Sequence, residues 1–254
     1  MIEIEEQTDV TVIIASVSED DALAQTISSC LMQTGLNMQV VCFIYSELHS
    51  VSNPNVSVCK FSNTQVIKIR GKDSGIADAW NASLRFASGK YFIFLGAGDV
   101  FFSSLSLSRL LVFAPKIDPM PREVLVGLQF VKSEGAGLRP WSSRGVSDYN
   151  LSVGMTIPHA SSLWPSWLWV NNKFDPKFKI ALDYEFALRV SKEVVFRGFD
   201  LPVSIVESGG ISNSPKNLLR VILEDALARK RNDRGAGYIT YINFKRIIRW
   251  LIRL

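Results

Sequence analysis

Lys72-Asp73-Ser74-Gly75-Ile76-Ala77-Asp78-Ala79-Trp80-Asn81, followed by Gly89-Lys90-Tyr91-Phe92-Ile93-Phe94-Leu95-Gly96-Ala97-Gly98-Asp99, decides the fold of this chain. The first part predicts a helix with polar residues at its start, running from Asp78 to Ala87 and stopped by Gly89. The second predicts a short buried strand, Tyr91 to Leu95, that delivers Asp99 where it meets solvent. In open α/β sheets the ligand crevice lies at the carboxyl ends of the strands. A carboxylate placed there is suited to hold a cation, and a cation is a common means of holding a diphosphate.

Working outward, Val10 to Ala15 reads as a parallel-type strand, continuous, β-branched and short. Ser18-Glu19-Asp20-Asp21 offers a helix start with acids in the first turn, and the helix runs through Leu23, Ile27 and Leu31 to Gly35. Gln39 to Tyr45 is a second strand, and Val66 to Ile69 a third, reached through a polar Ser/Asn loop. This alternation predicts an α/β fold with a mostly parallel sheet between helix layers. After Ser103 the expected elements are a helix over 105–113, a strand over 124–131 broken by Gly127, and a loop or hairpin over 132–150. A helix containing Asp183-Tyr184-Glu185 and a strand over 203–206 complete them. No internal repeat is visible.

The chain has 254 residues, 47% hydrophobic, with a net charge of +4. That suits one large domain with a sizeable core, here residues 1–225, and a tail over 226–254. From Arg220 onward nine basic residues face three acidic ones, an asymmetry that suggests an anionic surface as partner. In the tail Lys245, Arg246, Arg249 and Arg253 share one helical face, while Phe244, Ile247, Ile248, Leu251 and Ile252 supply the other. Such a basic amphipathic helix, with Trp250, reads as an interfacial membrane anchor, or else as a dimer helix or one docked on the domain. Nucleic acid is not an expected partner, because no aromatic-studded basic face accompanies the tail. Cys30, Cys42 and Cys59 lack metal-ligand spacing and read as buried thiols of a reducing compartment. No apolar run reaches the ~18–20 residues of a membrane span, and the acidic N-terminus is unlike a signal peptide. The expected location is therefore the cytoplasm, peripheral at the inner face of the plasma membrane if the tail anchors there.

The motifs together resemble family 2 inverting glycosyltransferases. Their D-x-G-I-x-D-A-x-N run is matched by Asp73, Gly75, Ile76, Asp78, Ala79 and Asn81, and their A-x-G-x-Y turn by Ala87, Gly89 and Tyr91. The acidic pair closing the strand is Gly98-Asp99 here. A second block matches at His159-Ala160-Ser161, where Ala160 replaces the usual Gln, then over Phe174 to Arg189, then at Gly209-Gly210-Ile211-Ser212. In order, the match spans about residues 10 to 225.

The resemblance implies a GT-A (Rossmann-like) fold and a nucleotide-diphospho-sugar donor. It also implies a divalent metal (manganese or magnesium) and a saccharide or lipid-linked acceptor, as in surface polysaccharide synthesis. It places Asp183 as the catalytic base and Asp99 as the metal carboxylate, with His159 as a metal or diphosphate contact. Ala15 and Ser16 fall where the first strand meets the nucleotide, with Asp73, Gly75 and Gly98 also on the donor. Asp78 and Asn81 either line the donor pocket or brace the Asp73 loop. Asp183 and Glu185 point about 200° apart on a helix, so only one faces the substrate. Trp164, Trp167 and Trp169 form either an acceptor-sugar platform or core packing. Gly98 and Ala160 also leave open a catalytically inactive sugar-nucleotide-binding or scaffold protein of the same fold.

Overall fold

The computed structural model describes residues 7–115, 120–133, 135, 137–141, 151, 154–209 and 215–234. Among the described residues, strand β1, Val10–Ser16, lies inside a ten-stranded sheet. It pairs in parallel with the second strand of the chain, β2, Met38–Ser50, on one side and with the fifth, β5, Tyr91–Gly96, on the other. β3, Asn55–Phe61, is the edge strand, antiparallel to β4, Thr64–Lys72, which pairs in parallel with β2. Beyond β5 come β6, Val100–Phe101, β7, Glu123–Ser133, β8, Gly137–Trp141, β9, Ser162–Pro165, and β10, Val195–Glu207. The spatial order is β3-β4-β2-β1-β5-β9-β7-β10-β6, with β8 as a hairpin partner of β7. Short β9 pairs with both β5 and β7, so it joins the two halves of the sheet.

Alternation along the strands creates two cores. Ile13, Phe43, Ile69, Phe92 and Phe94 point to one face, with Trp80. Val12, Ile14, Cys42, Ile93 and Leu95 point to the other. The first face is covered by α2, Ile76–Leu84, together with α5, Leu182–Val190. The second is covered by α1, Asp21–Leu31, and α3, Ser106–Leu111. Val10, Val12, Ile13 and Ile14 all have no exposed surface, which only a strand covered on both faces permits. Burying each such side chain contributes about 1.5–3 kcal/mol, so the continuous apolar run alone commits the chain to three layers. The expected α/β sandwich is therefore the observed one. A short helix α4, Leu168–Asn171, and a last described helix α6, Leu218–Arg231, complete the α-helices among the described residues.

Three details differ from expectation. The polar segment before the third expected strand is itself a strand, β3, whose Val56 and Val58 lie on an exposed edge. Gly127 does not break β7. A Cβ there would come within 2.3 Å of Val203 Cγ2 and 3.0 Å of the Leu201 carbonyl oxygen, so glycine lets the irregular part of β10 lie against the strand. Finally, α6 crosses the expected boundary at 225, with Ala228 and Arg229 fully buried and the Arg229 guanidinium 6.0 Å from the Tyr184 ring centroid. Cys30 and Cys42 are buried free thiols, whereas Cys59 is exposed on β3. No helix among the described residues is long and apolar enough to cross a membrane. The amphipathic segment 244–254 lies outside the described residues.

Candidate donor site

The carboxyl ends of β1 and β5 meet, with Ala15 in register with Gly96. Ser16 turns the chain there: its hydroxyl donates to the Ser18 carbonyl at 2.7 Å and accepts from the Ser18 N–H. Asp20 then caps α1 by accepting the Leu23 N–H at 3.0 Å. Across from this turn, Asp99 folds back on its own strand. Its Oδ2 accepts the Gly96 N–H at 2.8 Å, and the backbone of Glu207 on β10 also donates to it. Burial pushes the Asp99 carboxyl up to about 6, against those hydrogen bonds, and the nearby Glu207 carboxylate adds to the rise.

Gly98 is glycine for a backbone reason. Its φ is +97°, a region that side chains rarely adopt, although a Cβ there would approach only the Ala22 methyl, at 3.9 Å. Space would admit a second carboxylate; the dihedral does not favour one. The Gly98 N–H is held by Thr26 Oγ1 at 2.9 Å, which fixes the turn from α1. A cavity of about 360 Å³ opens beside Gly98, lined by Gln25, Lys132, Ile205 and Glu207 among others. Lys132 and Glu207 form an ion pair at 2.9 Å.

The Asp73 loop is braced from within. Asp73 Oδ1 accepts the Gly75 N–H at 2.8 Å, and Asp78 Oδ2 accepts the Ser74 N–H at 3.1 Å. Gly75 is the N-terminal cap residue of α2, with φ +136°. Burial raises the Asp73 carboxyl above the ordinary Asp range, and the Asp78 charge adds to that against the pull of the Gly75 N–H and Lys179. Of the two readings for Asp78, the hydrogen bond favours the brace. Asn81 braces something larger. Its Nδ2 donates to the Phe174 carbonyl at 2.9 Å, and its Oδ1 accepts the Phe174 N–H at 3.0 Å. The two motif blocks are thus joined at the backbone of Phe174. A second link is Lys179, whose Nζ donates to the Ser74 carbonyl at 2.7 Å.

Asp183 sits in the first turn of α5, where its Oδ1 accepts the Tyr184 N–H at 2.8 Å. Glu185, buried, is committed to Arg189 at 2.9 Å through an i,i+4 pair. Arg189 in turn donates to the Lys173 carbonyl. Glu185 therefore anchors the Phe174 segment. One carboxylate that sequence reasoning missed is Glu224 on α6. Its Oε2 accepts the N–H groups of Lys179, Ile180 and Ala181 at 3.0, 2.8 and 2.9 Å. Glu224 has no local motif around it; only the tertiary packing of α6 on α5 reveals it.

His159 is placed differently from expectation. Its ring packs against both Trp80 and Phe94, at 5.1 and 4.9 Å between centroids, and those two rings also meet each other at 4.5 Å. Both ring nitrogens are buried without a hydrogen-bond partner among the described residues. Burial pushes its pKa down to about 3, so it is neutral at physiological pH. The rings stacked on it offer no ligand for a metal ion, and the described residues hold no group of three His, Cys, Asp or Glu able to take one. Of the two expected metal ligands, only Asp99 fits, and it fits as a single carboxylate. Trp164 is likewise core, fully buried edge-on to Phe186 and Phe196, which favours the packing reading for it over a sugar platform. Gly210, Ile211 and Ser212 lie outside the described residues.

A family model described as "Glycosyl transferase family 2" matches residues 11–151. The chain belongs to glycosyl transferase family 2. The match covers more than half the chain, from β1 past the Gly98-Asp99 turn and through β8. Solved structures share the fold. TarS residues 1–349 of S. aureus in complex with UDP-GlcNAc is 15% identical, with a TM-score of 0.59 over 93% of this chain and 70% of that one. The mannosyltransferase PcManGT from Pyrobaculum calidifontis, in complex with GDP-Man and Mn2+, is 12% identical, with a TM-score of 0.58 over 94% of this chain and 69% of that one. A search of curated proteins found no match.

The Asp99 environment has a measurable consequence. Its folded value of about 6 lies above the ordinary 3.8, so the native state holds the proton more tightly than the unfolded chain. Its contribution to stability is complete below the unfolded value and is lost as pH rises through the folded one. Urea unfolding of wild type and Asp99→Asn across pH 4 to about 7 checks this. The stability difference should move in favour of the Asn variant as pH rises. A difference that does not change with pH would show that Asp99 is not desolvated as described.

Proposed function

We propose that this protein transfers a sugar, with inversion, from a nucleoside-diphosphate-sugar donor to an acceptor hydroxyl. The observation that carries the reading is the double link between the motif blocks, Asn81 with Phe174 and Lys179 with Ser74. These links hold the Asp183 helix against the loop that bears Asp73.

In the proposed reaction the acceptor oxygen forms a bond to the anomeric carbon as the bond from that carbon to the diphosphate oxygen breaks. Asp183 takes the hydroxyl proton, which makes the oxygen a competent nucleophile, and the nucleoside diphosphate leaves with the electron pair. Ala15, Ser16, Asp73 and Gly75 contact the donor, and the Gly98 turn lets its backbone approach the diphosphate closely. A divalent cation, when bound, would be held by Asp99 and would neutralise the charge that develops on the diphosphate. UDP-GlcNAc and GDP-Man, as carried by the structural neighbours, are the donor chemistries to test first.

A saccharide on a lipid carrier is the acceptor that suits the basic amphipathic segment at 244–254, which would hold the enzyme at an anionic inner membrane face. One observation favours the rival reading, a sugar-nucleotide binder without turnover: the Asp99 carboxylate is already occupied by backbone donors and Gly98 adds no second acid.

Release of nucleoside diphosphate from the donor, with manganese present, separates the two readings. Wild type should release it and Asp183→Asn should be slower by about 10²–10⁴-fold with donor binding retained. Retention of more than about a tenth of wild-type turnover would remove Asp183 from the base role, and donor binding without release by wild type would establish the binder. Deleting Phe244 to Leu254 should abolish co-sedimentation with anionic vesicles, each lost basic residue costing about 1 kcal/mol. Equal sedimentation of both forms would exclude this segment as the anchor.

A further inference from the structure

Helix α5 begins at a cap residue that offers no side-chain hydrogen bond. That residue is Ala181, whose side chain can accept nothing, and the N–H groups at a helix start need partners. The turn that enters the helix is held from 43 residues further along, where Glu224 on α6 projects one oxygen at the Ala181 N–H and at the two before it, those of Lys179 and Ile180. Glu224 is 7% exposed, and its other oxygen accepts Arg220 Nε at 2.8 Å.

We propose that Glu224 is a positioning residue, which holds the backbone leading into α5 so that Asp183 keeps its place relative to the Asp73–Gly75 loop. The inference rests on the reading of Asp183 as the base. Two features give Glu224 this reach. Ala181 is two residues before Asp183, so the held backbone is the mount of the reacting carboxylate. Lys179, the first of the three residues held, extends its Nζ to the Ser74 carbonyl at 2.7 Å, and that nitrogen lies 3.5 Å from where a Gly75 Cβ would stand. One carboxylate therefore fixes both the base and the link from its helix to the donor loop. Burial works against the charged form of Glu224, but the N–H donors and Arg220 outweigh it and hold its carboxyl below the ordinary Glu range, so it is an anion at the start of a helix, where an anion is favoured. Arg220 is 54% exposed at its side chain. Its pairing contributes little, which leaves the backbone contacts as the working part.

The test compares Glu224→Gln, Arg220→Met and Asp183→Asn by nucleoside-diphosphate release from the donor, and by calorimetry with UDP and GDP. Glu224→Gln should lower kcat by about 10- to 100-fold, the size expected of a small misplacement of a reacting group. Its affinity for the bound nucleotide should stay within about three-fold of wild type. Arg220→Met should leave both unchanged. Wild-type kcat in Glu224→Gln, with Asp183→Asn inactive, would overturn the positioning role and leave the base reading standing. Turnover retained by Asp183→Asn would overturn the base reading itself. A lower melting temperature with unchanged kcat, or nucleotide affinity falling as far as kcat, would make Glu224 a structural or donor residue instead. If Glu224→Gln does not melt cooperatively, Glu224→Asp, which keeps the charge on a shorter arm, takes its place. A fall in its kcat with nucleotide affinity retained supports the positioning role, and wild-type kcat overturns it.

Discussion

Asn81 and the backbone of Phe174 exchange two hydrogen bonds across 93 residues of sequence, and the site depends on that exchange. A side-chain amide presents an N–H donor and a C=O acceptor side by side, so it can occupy a backbone N–H and C=O together. Without it those Phe174 groups would be left unpaired, at a cost of about 1–3 kcal/mol for each one that is buried. The consequence extends past stability. Phe174 leads into the segment that Lys179 ties to Ser74 and Glu224 ties to α6, and that segment ends at α5. Helix α2 thereby sets where the second half of the molecule presents Asp183.

The sheet makes this possible by burying its first strand completely. With both faces of β1 covered, the polar ends of β1 and β5 are the nearest places where functional groups can emerge. Asp99 is there because β5 stops at Gly96, and the turn that follows is fixed by Thr26 and Ala22 of α1 through the Gly98 N–H. The aromatic layer of Trp80, Phe94, His159 and Phe174 lies beneath the same region. It gives the Phe174 segment an apolar seat to match its hydrogen-bonded edge.

Much of this was legible in the sequence, because it is written in local pattern. Val10 to Ala15 and Tyr91 to Leu95 are uninterrupted apolar runs, and such runs flanked by helices leave few alternatives to a buried parallel sheet. Asp78 and Asn81 could be named, but their partners could not: whether an amide lines a pocket or clasps a distant backbone depends on tertiary packing. His159 shows the same limit. Its motif position suggested a ligand, while its neighbours in space, drawn from α2 and β5, make it an aromatic-layer residue. Gly127 read as a strand breaker because its reason, Val203 at 2.3 Å from a would-be Cβ, lies in another strand. Glu224 had no signal at all, since a carboxylate on one helix that holds the turn leading into another leaves no mark on the sequence around that turn.

If the ends of β1 and β5 and the Asp73 loop form one donor site facing the start of α5, a bound donor must shield all three together. Hydrogen exchange, read by mass spectrometry before and after addition of UDP-GlcNAc or GDP-Man with manganese, tests this most directly. Added protection is expected in the segments containing Ala15–Ser18, Asp73–Gly75 and Gly96–Asp99 together, with at least one of these donors. Protection by a donor confined to other segments, with these three unchanged, would contradict it.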